Sequence, residues 1–271
     1  MNWIKYYNYD SNIKRNILNK CINTGIIPSI KKIFIETVNY CNCHCQFCPI
    51  GLGLNDNNNN IINDKVFNHI INILELSNYS GYIALHNHGE PLLDKDIFKR
   101  AELIKNVLPT STVYFSTNGI LVKNRLNEIL NSKTDFIIIN CYDINTYNKI
   151  IKLDLDSKRY LIKKRYESEF IYTNRAGVLY NIEKNDTPCV LPFIQLSLDV
   201  YGNIKNCCYD ATGVTIFDNV MNYDNLNSLW LSDKFKNIRS KIAVSRLNLN
   251  NCNNCDTNDC EVLRDTLNNV Y

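Results

Sequence analysis

The sequence predicts an α/β fold on a parallel sheet, followed by a small cysteine-rich domain. Three observations predict it. Strand and helix signals alternate from about residue 31 to 175. After about residue 186 the pattern changes to a hairpin and one amphipathic helix, and Cys252, Cys255 and Cys260 then lie close together. The expected division is an N-terminal extension over 1–30, an α/β domain over 31–185 and a C-terminal domain over 186–271.

Residues 32–38 read as the first strand, with the apolar run Ile33, Phe34 and Ile35. Residues 64–76 form an amphipathic helix by periodicity, 81–86 a strand, and 94–107 a helix ended by Pro109. Residues 113–116 are a strand, 122–130 a helix and 136–139 a fully apolar short strand, with a further strand at 170–172. Repeated β-α units imply parallel strands, covered on their faces or curled into a barrel. Active sites in such folds lie at the carboxyl ends of the strands. Cys41 to Cys48, His88 to Pro91, Ser116 to Gly119 and Asn174 to Gly177 each follow a strand, so they are expected to meet at one edge. Beyond 186, residues 193–200 and 204–208 flank a turn at Tyr201, Gly202 and Asn203 and form a hairpin. Residues 226–243 read as one helix with Leu229, Trp230, Phe235 and Ile238 on its apolar stripe. The cysteine-rich part is too short for a core of its own, which points to a metal staple.

A chain of 271 residues with 45% hydrophobic residues has enough material for a large core. Its net charge of +3, with no basic run, makes nucleic acid an unexpected partner. The asparagine run near 55–60 reads as a solvated loop. No apolar run approaches the ~20 residues of a membrane span. Residues 1–20 carry charges and asparagines without an apolar core, so a cytoplasmic location and no membrane partner are expected. In a reducing cytosol the twelve cysteines favour metal binding over disulfides.

The spacing Cys41-x3-Cys45-x2-Cys48 supplies three thiolates in one short loop. Three ligands leave a four-iron cluster with one open iron, able to take a small molecule. A zinc knuckle is the alternative, with His44 as the fourth ligand. His44, His86 and His88 lie near the expected active edge, each a candidate for proton transfer or for a structural role.

The run from Glu36 through Cys41, Cys45, Phe47, Cys48 and Pro49 resembles the signature of radical S-adenosylmethionine (SAM) enzymes. The resemblance implies a partial (β/α)6 TIM-like barrel, with Cys41, Cys45 and Cys48 ligating a [4Fe-4S] cluster whose open iron binds the amino and carboxylate groups of SAM. His88, Gly89, Glu90 and Pro91 resemble the family's Gly-Gly-Glu-Pro motif, which holds the SAM ammonium, with His88 in place of the first glycine. Ser116 and Asn118 resemble the ribose-contacting segment, and the backbone around Phe47 is expected at the adenine. Cys43 falls outside the triplet.

Cys189, Cys207, Cys252 and Cys255, with the hairpin glycine Gly202 between the first two, resemble the auxiliary-cluster domains called SPASM and, in shortened form, twitch. The resemblance implies a second [4Fe-4S] cluster closed by these four thiolates and acting as an electron carrier. Cys208 and Cys260 are its alternative ligands, a structural zinc is the bland alternative, and Cys21 and Cys141 are expected as buried thiols. Arg175, in a segment that recurs in such members, is a candidate to anchor a substrate hydroxyl or the SAM carboxylate, and His88 a candidate catalytic group. The function implied is a radical SAM oxidoreductase that forms a 5′-deoxyadenosyl radical and takes a substrate hydrogen. The remaining electron passes to the auxiliary cluster, oxidising a sugar or aminocyclitol alcohol. The expected partners are a small-molecule substrate and a flavodoxin or ferredoxin-type reductant. Modification of a ribosomally made peptide is the alternative substrate class, with Cys141 as a hydrogen donor for epimerisation. Only about forty residues precede Cys41, too few for the leader-binding module of many such enzymes. A non-enzymatic metal-stabilised binding or electron-transfer protein is the alternative of a different class.

Overall fold

The computed structural model describes residues 30–54, 58–166, 173–250 and 252–257. Its strands are β1 (Lys32–Ile35), β2 (Tyr82–Ala84), β3 (Thr112–Thr117), β4 (Phe136–Cys141), β5 (Tyr160–Lys164), β6 (Gln195–Leu198), β7 (Asn203–Lys205) and β8 (Asp218–Asn219). They form one sheet in the order β5-β4-β3-β2-β1-β6-β7-β8. The six strands β1 to β6 are mutually parallel, and β7 and β8 add to the edge antiparallel. This is the expected α/β architecture, a partial barrel left open between β5 and β8.

The period of two along the strands divides the sheet into two faces. Ile33, Ile35, Ile83, Val113, Phe115, Ile137, Ile139, Leu196 and Leu198 face one way and join the main core. That core is completed by α1 (Asp64–Leu76), α2 (Ile97–Val107), α3 (Leu126–Asn131) and α4 (Ile144–Ile151). The alternate residues Phe34, Ala84 and Tyr114, with Phe136, Ile138 and Cys208, form a second, smaller cluster on the inner face. The inner face carries polar groups toward the carboxyl ends of the strands, and these build the site.

Helix α1 has the expected limits because Asn63 accepts from Val66 N–H at its start and Val66, Phe67, Ile70, Ile71, Ile73 and Leu74 are buried. Helix α2 starts later than expected. Pro91–Leu93 forms a 3-10 turn first, and buried Asp94 is tied to Arg100 Nε at 2.9 Å. The helix expected over 122–130 is confined to α3. The helix expected over 226–243 is two helices, α6 (Leu226–Trp230) and α7 (Asp233–Val244), with α5 (Leu191–Ile194) preceding β6. Ser232 interrupts it by accepting from Phe235 N–H, an N-cap that the continuous apolar stripe concealed. The ring of Trp230 then meets that of Phe235 edge-on at 4.9 Å.

The expected hairpin is present as β6 and β7, with Ser197 opposite Lys205 and Leu198 opposite Ile204. Its first strand nevertheless lies parallel beside β1, with Ile33 paired to Leu196. The sheet therefore continues past residue 186 without a break in its hydrogen bonding. The strand expected at 170–172 lies outside the described residues.

Phe115 is fully buried between the sheet and the helices, with its ring 6.1 Å from Phe98. Phe115→Ala should lower stability by about 3–5 kcal/mol, read from the urea midpoint of the purified chain.

Candidate active site

Four loops at the carboxyl ends of β1 to β4 wall one cleft of about 620 Å³, measured out to its open mouth. Cys41, Cys45, Phe47 and Cys48 come from the loop after β1, and His86, His88, Gly89 and Glu90 from the loop after β2. Ser116, Thr117 and Asn118 end β3, Asn140 and Tyr142 end β4, and Arg175 closes the far wall. The convergence expected from the strand-loop pattern is thus met.

Gly89 is required by a close approach. A Cβ there would lie 1.9 Å from the Val38 carbonyl oxygen and 3.0 Å from that of Tyr40. Glu90 N–H donates to the Tyr40 carbonyl at 2.9 Å, so the Gly89-Glu90 backbone is laid against the segment that leads into Cys41. Glu36, itself buried, accepts from His88 N–H at 3.0 Å from below. Burial pushes its carboxyl pKa up, and Lys205 nearby opposes this.

The Glu90 carboxylate is 2% exposed and joins the walls. Oε1 accepts from Thr117 Oγ1 at 2.6 Å and Leu92 N–H at 3.0 Å, and Oε2 accepts from Asn118 N–H at 2.7 Å. Burial lifts its pKa to about 7 against the pull of those bonds. Asn118 then reaches the triplet loop, donating through Nδ2 to Asn42 Oδ1 at 2.7 Å and to Cys41 Sγ at 3.5 Å. Pro91 is buried at the start of the 3-10 turn, behind the cleft wall.

Cys41 is acidified to about 6, chiefly by a hydrogen bond from the Cys43 thiol. The same thiol lowers Cys45, while Cys43 itself is pushed up. A thiol poised to deprotonate is the form that binds iron. His44, the fourth ligand a zinc knuckle needs, is exposed and outside the cleft wall. Among the described residues no three His, Cys, Asp or Glu side chains are gathered as a single metal ion requires.

A row of polar groups crosses the strand ends, of which the sequence revealed His86 and Ser116 but not Asn140 and Arg165. His86 Nδ1 accepts from Ser116 N–H at 3.1 Å, Asn140 Nδ2 donates to Ser116 Oγ at 2.5 Å, and Arg165 Nε donates to Asn140 Oδ1 at 3.1 Å. Burial, with Lys32 nearby, lowers His86 to about 3, so the neutral ring carries its proton on Nε2. Tyr142 stands against Phe47 with ring centroids 5.2 Å apart. Two buried polar atoms on this wall lack a protein partner, His88 Nε2 and Arg175 Nε. Buried polar atoms are ordinarily bonded, so both stand out among the residues of this wall. The His88 pKa is held well below the usual value by burial and then by Lys205 and Arg175.

Cys189, Cys207, Cys252 and Cys255 line a second, small pocket with Leu191, Ile242 and Ala176. Burial, and then the neighbouring thiols, push Cys207 well up, and burial pushes Cys252 to about 12. Four thiols around one apolar space are a donor set suited to an iron–sulfur cluster. Cys208, the next residue to Cys207, faces the other way. It packs with Phe34, Ala84 and Tyr114 and accepts from Gln195 Nε2, so it is not part of that pocket. Cys260 and Cys21 lie outside the described residues. Cys141 is fully buried in the main core, on the opposite face of the sheet from the cleft. That removes it as a hydrogen donor to a substrate in the cleft, because it shares the parity of Ile137 and Ile139.

Residues 189–256 match the SPASM family, an iron–sulfur cluster-binding domain. A curated relative from Niallia circulans, the S-adenosyl-L-methionine-dependent 2-deoxy-scyllo-inosamine dehydrogenase, is 23% identical over 235 residues, 83% of this chain and 92% of its own. Among solved structures, BtrN in complex with AdoMet and 2-DOIA superposes with a TM-score of 0.72 at 21% identity, covering 84% of this chain and 93% of BtrN. Streptococcus suis SuiB bound to S-adenosylmethionine gives 0.52 at 14% identity, over 91% of this chain and 77% of SuiB. The chain thus carries a SPASM domain over 189–256 and shares the fold of BtrN, and over most of its length it is similar to a SAM-dependent dehydrogenase. No helix among the described residues is long and apolar enough to cross a membrane.

Two predictions test this geometry. Gly89→Ala should displace the loop after β2 and lower iron retention at the cleft, read by iron content and the unfolding midpoint. Glu90, raised from 4.5 to about 7, contributes stability that is fully present below about 4.5 and lost as pH rises through about 7. The stability of the apo wild type relative to E90Q should therefore fall from pH 5 to 8, measured by urea midpoints. A flat difference would contradict the assignment.

Proposed function

We propose that this radical SAM oxidoreductase dehydrogenates a secondary alcohol of a sugar or aminocyclitol. In this reading Cys41, Cys45 and Cys48 hold the [4Fe-4S] cluster that takes SAM, and Cys189, Cys207, Cys252 and Cys255 hold the auxiliary [4Fe-4S] cluster. The observation that carries it is that His88 and Arg175 line the same cleft as Cys41, Cys45 and Cys48. The relatives named for an aminocyclitol dehydrogenase and for BtrN with AdoMet and 2-DOIA support the substrate class.

When bound, the first cluster and SAM supply a hydrogen-abstracting 5′-deoxyadenosyl radical, and the second cluster supplies an acceptor for the substrate's remaining electron. Glu90 meets the ammonium of SAM with its carboxylate, held rigid by Thr117 and Asn118. Ser116 and Asn118 offer hydroxyl and amide groups to the ribose, and the Phe47 backbone borders the adenine with Tyr142 behind its ring. Arg175 donates from Nε to the substrate hydroxyl oxygen. Its guanidinium does not deprotonate, so it orients the alcohol rather than acting as base. His88 accepts the hydroxyl proton in a hydrogen bond at Nε2, the nitrogen left without a partner. Oxidation to the ketone then balances as one hydrogen atom, one proton and one electron removed. The electron that starts each turnover comes from a flavodoxin or ferredoxin-type reductant.

Anaerobic reconstitution should give about eight irons per chain and, with dithionite and SAM, 5′-deoxyadenosine. Deuterium from labelled 2-deoxy-scyllo-inosamine should appear in that product as the ketone forms. C45A should abolish 5′-deoxyadenosine, and C252A should retain part of it while losing the ketone. Loss of the Arg175 hydrogen bond in R175A should lower kcat/KM for the alcohol by roughly 10–100-fold, the equivalent of about 1.5–3 kcal/mol. Stoichiometric zinc without SAM cleavage would sink the reading. SAM cleavage without deuterium transfer from any alcohol would sink the substrate class alone.

A further inference from the structure

Arg175 and Ala176 are consecutive non-glycine residues in the left-handed region, with φ of 53° and 56°. Side chains with a Cβ rarely adopt that conformation, so the surroundings must hold it. The two residues face different sites: Arg175 lines the cleft and Ala176 lines the four-cysteine pocket. The turn that carries them is the wall between the two.

The holding group is Asn174, which is fully buried. Its backbone N–H donates to both oxygens of Asp256, each at 2.9 Å. Its side-chain Nδ2 donates to the Asn254 carbonyl at 2.5 Å and the Tyr180 carbonyl at 3.1 Å. Its Oδ1 accepts from Gly177 N–H at 3.0 Å and from Asp256 N–H at 3.3 Å. Tyr180 Oη donates to Asp256 Oδ2 at 2.7 Å and closes the ring of contacts. Asp256 directly follows Cys255, and the loop it sits in is anchored on its other side. Asn185 Nδ2 donates to the Cys255 carbonyl at 2.9 Å, and Arg246 donates to the Cys255 and Thr257 carbonyls at 3.2 and 2.9 Å.

We infer that Asn174 and Asp256 form a clasp through which the loop bearing Cys252 and Cys255 sets the position of Arg175 in the cleft. This rests on the roles proposed above for Arg175 and for the auxiliary cysteines. Both clasp residues are positioning residues, since neither lines the cleft. Iron held by Cys252 and Cys255 fixes Asp256, Asp256 fixes Asn174, and the strained turn then presents the guanidinium. The auxiliary site thereby has a mechanical effect on the cleft in addition to its electronic one.

Hydrogen exchange of peptides spanning 173–180, read by mass spectrometry on the reconstituted full chain, tests the clasp without any substrate. The wild type should protect this segment when loaded with iron. Protection should fall at least tenfold after chelation, and by as much in D256A with its iron still bound. Should D256A shed iron, N174A leaves the neighbour of Cys255 in place and reads the same two quantities. Unchanged protection in an iron-loaded clasp variant would overturn the inference.

A second arm asks whether Asn174 acts through Arg175. With 2-deoxy-scyllo-inosamine as the probe, the N174A/R175A double variant should form no less ketone than R175A alone, because the clasp has nothing left to position. A further loss of fivefold or more in the double variant would overturn it. If the wild type makes no 5′-deoxyadenosine, the proposed function fails while the exchange result still decides the clasp.

Discussion

The loops that wall the cleft meet at the carboxylate of Glu90, and their geometry depends on how that group is held. Thr117 Oγ1 and the N–H groups of Leu92 and Asn118 donate to it, while Glu90 N–H donates to Tyr40. One residue, through its side chain and its backbone N–H, therefore ties the ends of β2 and β3 to the segment entering Cys41. Asn118 extends the tie to Asn42 and Cys41 itself. The carboxylate pays for this position in desolvation, which is why its pKa stands near 7 despite three donors. A bound ammonium favours the ionised form, so occupation of the site and cohesion of its walls reinforce each other. Gly89 is a consequence of the same constraint, because Glu90 reaches Tyr40 only if the preceding residue lies flat on Val38.

Around the two imidazoles of the inner face positive charge prevails, although the buried carboxylate of Glu36 lies below His88. Burial lowers His86 and His88, and the positive charges of Lys32, Lys205 and Arg175 lower them further. Lys32 is itself lowered by burial and lies over the rings of Phe34 and Tyr114. Both imidazoles therefore remain neutral and serve as hydrogen-bonding groups with fixed donors and acceptors. A thiolate-held cluster at the triplet would supply negative charge.

Much of this was legible where the chemistry is local in sequence. The triplet, the Gly89-Glu90 turn and Asn118 are short motifs on consecutive loops, and a parallel sheet brings such loops together. Helix α1 was legible to the residue because its cap and its apolar period agree. Of the row His86, Ser116, Asn140 and Arg165, the last two were not, since Asn140 is a single polar residue at the end of an apolar strand and Arg165 follows two other basic residues. The usable signal was Asn140 after the run 136–139. Parity also holds information: Cys141 follows Ile137 and Ile139 at steps of two, which assigns it to the helix-covered face. The placement of β6 beside β1 and the bond from Asn174 to Asp256 join residues far apart in sequence. Local propensity carries nothing about either.

The two thiol sets differ in how their surroundings treat the charged form. Cys41 and Cys45 are half-buried, and the hydrogen bond from the Cys43 thiol lowers the pKa of both. Cys207 and Cys252 are closed in an apolar pocket that raises their pKa, so without metal they are held as neutral thiols. Iron binding there must displace protons against burial, and the binding free energy then becomes folding free energy for the loop 252–257. The Asn174 side chain draws on that same loop to keep Arg175 in a conformation the chain alone disfavours. On the proposed roles, closure of the second site would steady the guanidinium that orients the alcohol. A radical formed in the cleft before that closure would then meet a less ordered hydroxyl and no acceptor for its electron.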